Sequence, residues 1–287
     1  MTSRKPAIDF IGIGAQKCAS TWLHDVLVDH PQLVLPAAEK EVDFFSYHYD
    51  AGQQWYERHF DLEAGGVIRG EISPSYFHTP GVPERVAAYN PAMRIVLIAR
   101  DPVARALSNH KHELRIGNVQ GDDLSFEFGL ANNPAYVEQG LYAKHLARWQ
   151  ALFPAEQILV LKFDDVVVKP AETLSRVCDF LGVDPAYESP HLKTKSNVSY
   201  LHRSSALDKM KNAVRGVVRG VGLGGLWQRL GDTGLRDKYR SVNRLEAESV
   251  IGLPKAETLQ QLKSVFRPDL DEFERMTGVS TADWLQQ

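Results

Sequence analysis

The chain has 287 residues, 44% hydrophobic and 24% charged, which suits one large α/β domain or two small ones of ordinary soluble composition. A formal net charge of −3 argues against broad, unspecific nucleic-acid binding, and two cysteines, Cys18 and Cys178, supply neither a disulfide framework nor a metal set. An apolar strand under way by Ile8 leaves no room for a leader and no apolar run approaches a membrane span, so a reducing cytoplasm is the expected address.

The first expected strand, Ile8–Ile13, runs into Gly12 and Gly14, and a helical pattern, Ser20–His30, opens after a short turn. Strand, turn and helix in that order point backbone N–H groups and a helix dipole at an anion. Lys17 lies inside the turn as a point charge, and the hydroxyls of Ser20 and Thr21 stand where they can face phosphate or sulfonate oxygens. No glycine directly precedes the lysine and Ser20 follows three positions after it, which is not the nucleotide-hydrolase spacing. The expected ligand is therefore an anion that is not bridged by magnesium. Cys18 reads as a small space-filling residue, with a thiol activated by Lys17 and the helix terminus as the alternative.

A second strand, Leu33–Leu35, precedes an acidic segment, Pro36–Ser46, that sets Glu39, Glu41 and Asp43 around Lys40 and ends in Phe44 and Phe45. A carboxylate beside an anion site and partly dried by aromatics is a candidate general base. Glu41 is preferred, because the two phenylalanines should anchor its end of the loop in the core; Glu39 reads as solvated. Helix Gln53–Phe60, strand Val67–Glu71 and helix Val82–Tyr89 follow.

Strand Arg94–Ala99 delivers Arg100 at its carboxyl end, where ligands of open α/β sheets bind. Asp101 suits an N-cap and Pro102 the first helical position of a helix running through Val103–Ile116. Ser108 lies about two turns along that helix, within reach of a ligand lying against its side. The competing reading is a surface Arg–Asp turn with a routine helical serine. His110 and His112 on the same helix cannot share a face, and Asn109 to Glu113 are expected to line an acceptor cleft or meet solvent. A loop at Gly117–Asp123 precedes helix Leu141–Phe153, where Tyr142 and Trp149 read as packing residues. Strand Ile158–Lys162, a helix over Ala171–Leu181 started by Pro170 and stopped by Gly182, and a loop at Ser189–Ser199 complete a doubly wound pattern.

Beyond Arg203 the character changes. Residues 203–244 hold ten Lys or Arg against three Asp, with seven glycines between 216 and 234. Leu207, Met210, Val214, Val217, Val218 and Val221 form an apolar stripe at helical spacing with basic residues mostly off it. A helix packed on the domain with a solvated basic face is the preferred reading. A lid, or peripheral membrane contact through 203–225, is the sharper alternative.

These segments together resemble the sulfotransferases that use 3′-phosphoadenosine-5′-phosphosulfate (PAPS), most of all the heparan-sulfate type and its bacterial relatives. Gly14-Ala-Gln-Lys-Cys-Ala-Ser-Thr21 is similar to that family's 5′-phosphosulfate turn, Arg100 and Ser108 to its 3′-phosphate motif, and Glu39-Lys-Glu-Val-Asp-Phe-Phe45 to the segment carrying its catalytic glutamate. Gly70-Glu-Ile-Ser-Pro-Ser-Tyr-Phe77, Val82-Pro-Glu-Arg85, Asn90-Pro-Ala-Met-Arg94 and Lys193-Thr-Lys195 extend the ordered match from Ile8 to Arg203. The resemblance implies a three-layer α/β/α, P-loop-like fold with a mainly parallel sheet and a helical, basic C-terminal elaboration. It implies one sulfotransferase domain over 1–287, with 203–250 as a basic, glycine-rich insertion or lid. It also implies Glu41 and Lys17 as catalytic residues, and PAPS held by Gln16, Lys17, Cys18, Ala19, Ser20, Thr21, Trp22, Arg100, Ser108, Tyr200 and Arg203, with release of 3′-phosphoadenosine-5′-phosphate (PAP). For Trp22 a core position competes with contact to the adenine. No metal is expected, and the acceptor is a glycan, glycolipid or small metabolite. Two positions depart from the heparan-type pattern, Ile72 where lysine is frequent and Asp43 where histidine is frequent, which puts heparan-like acceptors in doubt. A P-loop kinase and a silent nucleotide- or glycan-binding module remain as alternatives.

Overall fold

The computed structural model describes residues 6–120, 123–192, 200–202, 244–246 and 253–286. Five strands form one parallel sheet in the order β2-β3-β1-β4-β5: β1 (Phe10–Gly14), β2 (Leu33–Val34), β3 (Ile68–Ile72), β4 (Arg94–Ala99) and β5 (Ile158–Lys162). Every strand expected from the apolar runs is present, with β4 and β5 matching end to end. All five residues of β1 and five of the six in β4 are buried, which requires cover on both faces of the sheet. That double cover explains why these runs show no alternation of polar and apolar residues. The result is the doubly wound, three-layer arrangement.

The strand order turns about β1, so the loops leaving β1, β3 and β4 share the carboxyl edge where such sheets bind ligands. Gly12 pairs with Ile72 of β3, and a Cβ there would meet the Ile72 side chain at 2.8 Å and Leu23 of helix α1 (Ser20–Leu27) at 3.2 Å. Ile72 is wholly buried in this packing.

The described residues fall into two compact units. The first comprises Met1–Ala106, Pro134–Ser196 and Ala256–Gln287, and contains the sheet. Among its helices, α2 (Phe44–Tyr47), α3 (Gln53–Glu57), α4 (Val82–Tyr89), α7 (Ala135–Glu138), α8 (Tyr142–Gln150), α9 (Phe163–Val168), α10 (Pro170–Leu181) and the final long helix Ala256–Thr277 lie wholly within it. Helix α10 starts at Pro170 and stops at Gly182, whose φ of 73° is the left-handed stop expected there. Helix α1 ends three residues earlier than its periodicity predicts, because the chain turns back on buried His30, whose Nδ1 accepts the Gln32 N–H at 3.1 Å. Helix α8 starts at Tyr142 because both oxygens of Asp269, from the long final helix, accept the N–H groups of Ala143 and Lys144 at 3.0 Å. That final helix was not foreseen. It buries Thr258, Leu262, Phe266, Leu270 and Phe273 along one stripe.

The second unit comprises Leu107–Asn133 and Asn197–Lys255. It takes in the later part of α5 (Pro102–Ile116), α6 (Phe126–Asn132) capped by the Ser125 hydroxyl, and an antiparallel pair, β6 (Tyr200–His202) with β7 (Arg244–Glu246). The basic amphipathic segment expected at 203–225 lies outside the described residues. None of the described helices is long and apolar enough to cross a membrane.

Candidate active site

The anion turn is shaped by its backbone. Ala15 N–H donates to Ile98 O of β4 at 2.8 Å, fixing where the turn departs from the sheet. Gly14 has φ of 128°, and a Cβ there would lie 2.9 Å from the Pro74 carbonyl oxygen. Lys17 (φ 70°) and Ala19 (φ 68°) both adopt the left-handed conformation that non-glycine residues avoid at a cost of roughly 1–3 kcal/mol. Alternation of this kind directs successive N–H groups into one concavity, an anion nest. Ala19 is also the N-cap of α1 and has no side chain to cap it, so the first-turn N–H groups, which have no intrahelical partner, are left for a ligand. Gln16, Lys17, Ser20 and Thr21 are half-buried around this nest.

Cys18 and Trp22 point the other way. Cys18 is fully buried, and burial pushes its thiol up despite the opposing charges of Arg105 and Arg100. The activated-thiol alternative fails on that ground, and the space-filling reading holds. Trp22 is buried in the core, although its indole N–H has no partner among the described residues.

The post-strand motif forms as its spacing predicts. Asp101 Oδ1 accepts the N–H groups of Val103 (2.8 Å) and Ala104 (3.0 Å), capping α5, while Oδ2 accepts the Leu285 N–H at 2.8 Å. The Arg100 guanidinium stacks over the Phe163 ring at 4.4 Å, a planar support that leaves its N–H fork for an anion. The Arg100 carbonyl accepts the Tyr142 hydroxyl at 2.7 Å, and the same hydroxyl lies 3.8 Å from Cys18 Sγ. Tyr142 therefore packs, as expected, and also touches both anion-facing segments.

Ser108 lies in the second unit and is half-buried there. In the same unit His110 is fully buried, with Nε2 3.0 Å from Leu124 O, and burial lowers its pKa. Asn109 is buried as well, so these two do not meet solvent as expected: their helix positions face the unit's interior. Tyr200 falls in β6, of which only the backbone is described, and Arg203 lies outside the described residues.

The loop carrying Glu41 is held by side chains from far along the chain. Phe44 and Phe45 are fully buried, as expected; Phe44 stacks on Tyr56 at 4.5 Å, and the Phe45 carbonyl accepts from Arg85 at 2.7 Å. Behind Glu41, the buried carboxylate of Glu71 accepts the Val42 N–H (3.2 Å) and the hydroxyls of Ser73 (2.6 Å) and Tyr76 (2.6 Å). Burial raises the Glu71 pKa, opposed by those hydroxyls. Ser73 Oγ accepts the Asp43 N–H at 3.0 Å, and Ser75 Oγ donates to Asp43 Oδ1. The Asp43 pKa is raised by burial and by the charge of Glu41. Lys40 Nζ donates to Glu41 Oε1 at 2.8 Å and to Thr21 Oγ1 in the first turn of α1 at 3.0 Å. Glu39 is exposed, as expected.

Glu71, Ser73, Ser75 and Lys40 are the working parts that sequence reasoning left unassigned. A carboxylate near the buried carboxyl end of a parallel strand was the available signal for Glu71, since charge in that setting requires partners.

Comparison with known proteins bears on the family and the fold. The family model described as "Sulfotransferase domain" matches residues 7–214. Human heparan sulfate glucosamine 3-O-sulfotransferase 3B1 is 33% identical over 192 residues, covering 64% of this chain and 49% of that protein. The mouse 3B1 protein is 30% identical over 275 residues, covering 93% of this chain and 62% of that one. The chain thus spans about half to three-fifths of the length of these relatives. The crystal structure of a sulfotransferase from Alicyclobacillus acidocaldarius shares the fold, with a TM-score of 0.69, 21% identity and 99% coverage of both chains. With the family match spanning well over half of its residues, the chain belongs to the sulfotransferase family.

Proposed function

We propose that this chain moves a sulfuryl group from PAPS to a hydroxyl, with an amine as the alternative, of a glycan, glycolipid or small-molecule acceptor. The observation that carries this reading is that the anion turn and the candidate base are joined by one side chain, with Lys40 bonded to Thr21 and to Glu41. Glu41 Oε takes the proton as the acceptor oxygen forms its bond to sulfur. The bond from sulfur to the bridging oxygen of the 5′-phosphate breaks, and its electron pair stays on that oxygen. Lys17 and the N–H groups at the start of α1, Ser20 and Thr21 among them, meet the negative charge that develops there, a preorganised stabilisation worth roughly 10²–10³ in rate. Arg100, seated on Phe163, holds the 3′-phosphate. Transfer needs no metal in this scheme. The whole chain acts as one sulfotransferase domain, with 203–250 as a basic, glycine-rich insertion or lid.

The test is transfer from radiolabelled PAPS across a panel of glycans, glycolipids and small phenols and alcohols, with and without EDTA, read by mass spectrometry for an added sulfonate. Lys17→Ala lowers turnover at least 10²-fold, and Glu41→Gln lowers it roughly 10²–10⁴-fold, both with unchanged thermal melts. Full turnover by Glu41→Gln removes the base assignment. Failure to bind PAP in a metal-free titration removes the donor assignment and restores the kinase alternative.

A further inference from the structure

Lys40 is not accounted for by stability. It pairs with its sequence neighbour Glu41, and its side chain is 28% exposed against 41% for Glu41. Exposed pairs of this kind contribute about 0–1 kcal/mol. Its other bond does more, because Thr21 is 19 residues away and belongs to the helix whose N-terminus forms the anion nest.

From this juxtaposition we infer that Lys40 is a positioning residue of the transfer reaction, setting the distance between the base and the sulfuryl donor. The inference rests on Glu41 being the base. In-line transfer places the acceptor oxygen between the Glu41 carboxylate and the donor sulfur, and those two partners are held by separate pieces of chain. The Glu41 loop is moored to β3 and the segment after it through Glu71, Ser73 and Ser75. The nest is moored to β4 through Ala15. Both moorings stop short of the Glu41 carboxylate itself. Lys40 closes that gap with two charge-assisted bonds from one ammonium group, which has three donors. Thr21 is arranged to pass the effect on. Its oxygen accepts from Lys40, so its own O–H remains to donate into the nest, and a hydroxyl that accepts from a cation becomes a stronger donor.

The experiment compares Lys40→Met, Lys40→Arg and Glu41→Gln, and the double variant Lys40→Met/Glu41→Gln, using radiolabelled PAPS and any acceptor that turns over. Lys40→Met is expected to lower kcat on the order of tenfold while the KM for PAPS changes far less, the signature of misplaced rather than unbound reactants. Lys40→Arg restores most of the loss. In the Glu41→Gln background Lys40→Met adds no further loss, because its effect passes through the base. Unchanged kcat in Lys40→Met, a loss confined to the KM for PAPS, or an equal further loss in the double variant each overturns the inference. A fully active Glu41→Gln overturns the base assignment as well, whereas an inactive Glu41→Gln beside an unaffected Lys40→Met overturns the positioning role alone. A melting temperature lowered in Lys40→Met but not in Lys40→Arg, with kcat per folded molecule unchanged, assigns Lys40 a structural role instead.

Discussion

The anion turn and the base loop, the segment carrying the proposed base Glu41, lie on either side of one bridging lysine and are built on opposite principles. The turn is local: Gly14, the left-handed Lys17 and Ala19 and the uncapped start of α1 fall within eight consecutive residues and act through backbone N–H groups. The base loop is short of regular structure and takes its shape from Glu71, Ser73, Ser75, Tyr76 and Arg85, some 30 to 40 positions further along. A site that must recognise a fixed anion benefits from backbone geometry, which few side-chain changes disturb.

Breaking the turn is expected to have the largest effect. Gly14→Ala combines a strained φ of 128° with a Cβ placed 2.9 Å from the Pro74 carbonyl oxygen, a backbone atom that has little room to move. A loss of about 3 kcal/mol in chemical denaturation is expected, together with loss of PAP binding by calorimetry. Next is the mooring of the base loop. Glu71→Ala leaves the Val42 N–H and two hydroxyls without their acceptor in a dry site, costing about 2 kcal/mol, and lowers kcat up to about 10²-fold while PAP binding persists. If both variants lose donor binding equally, the separation between backbone-built and side-chain-built halves does not hold. Ser75→Ala sharpens the contrast at smaller scale: about 1 kcal/mol, with a several-fold fall in kcat and unchanged PAP affinity.

The smallest effect concerns pH. His78 is largely buried and its pKa is lowered to about 4, by burial first and then by the charges of His145, Arg105 and Arg148, and its Nε2 sits 3.2 Å from Gln139 Nε2, which donates to the neutral ring. The unfolded chain binds this proton near pH 6.5 and the folded chain does not, so stability is full above that pH and falls as pH drops toward 4. Between pH 7 and pH 5 the loss is on the order of 1 kcal/mol, and His78→Gln reduces it, as read by urea denaturation at the two pH values.

Much of the anion turn and of the segment after β4 was legible. The apolar runs of β1, β4 and β5 lie where their composition puts them, and Asp101 and Pro102 start α5 as capping chemistry requires. The base loop was legible only in part. Glu41 was picked out by its neighbouring phenylalanines, but nothing in the spacing of Pro36–Ser46 connects it with Glu71 or Ser75. Asn109 and His110 show the same limit, since their burial depends on what packs against α5 rather than on α5 itself.

By itself, then, the order of residues determined the sheet-forming runs, the left-handed run of the anion turn and the cap after β4, because the signal for each lies within a few neighbouring residues. Only tertiary structure decided how the Glu41 loop is held, that Tyr142 touches both Cys18 and the Arg100 carbonyl, and that Lys40 reaches Thr21. Those contacts join segments whose separation along the chain carries no information about their distance in space. They exist because a parallel sheet gathers the carboxyl ends of β1, β3 and β4 along one edge.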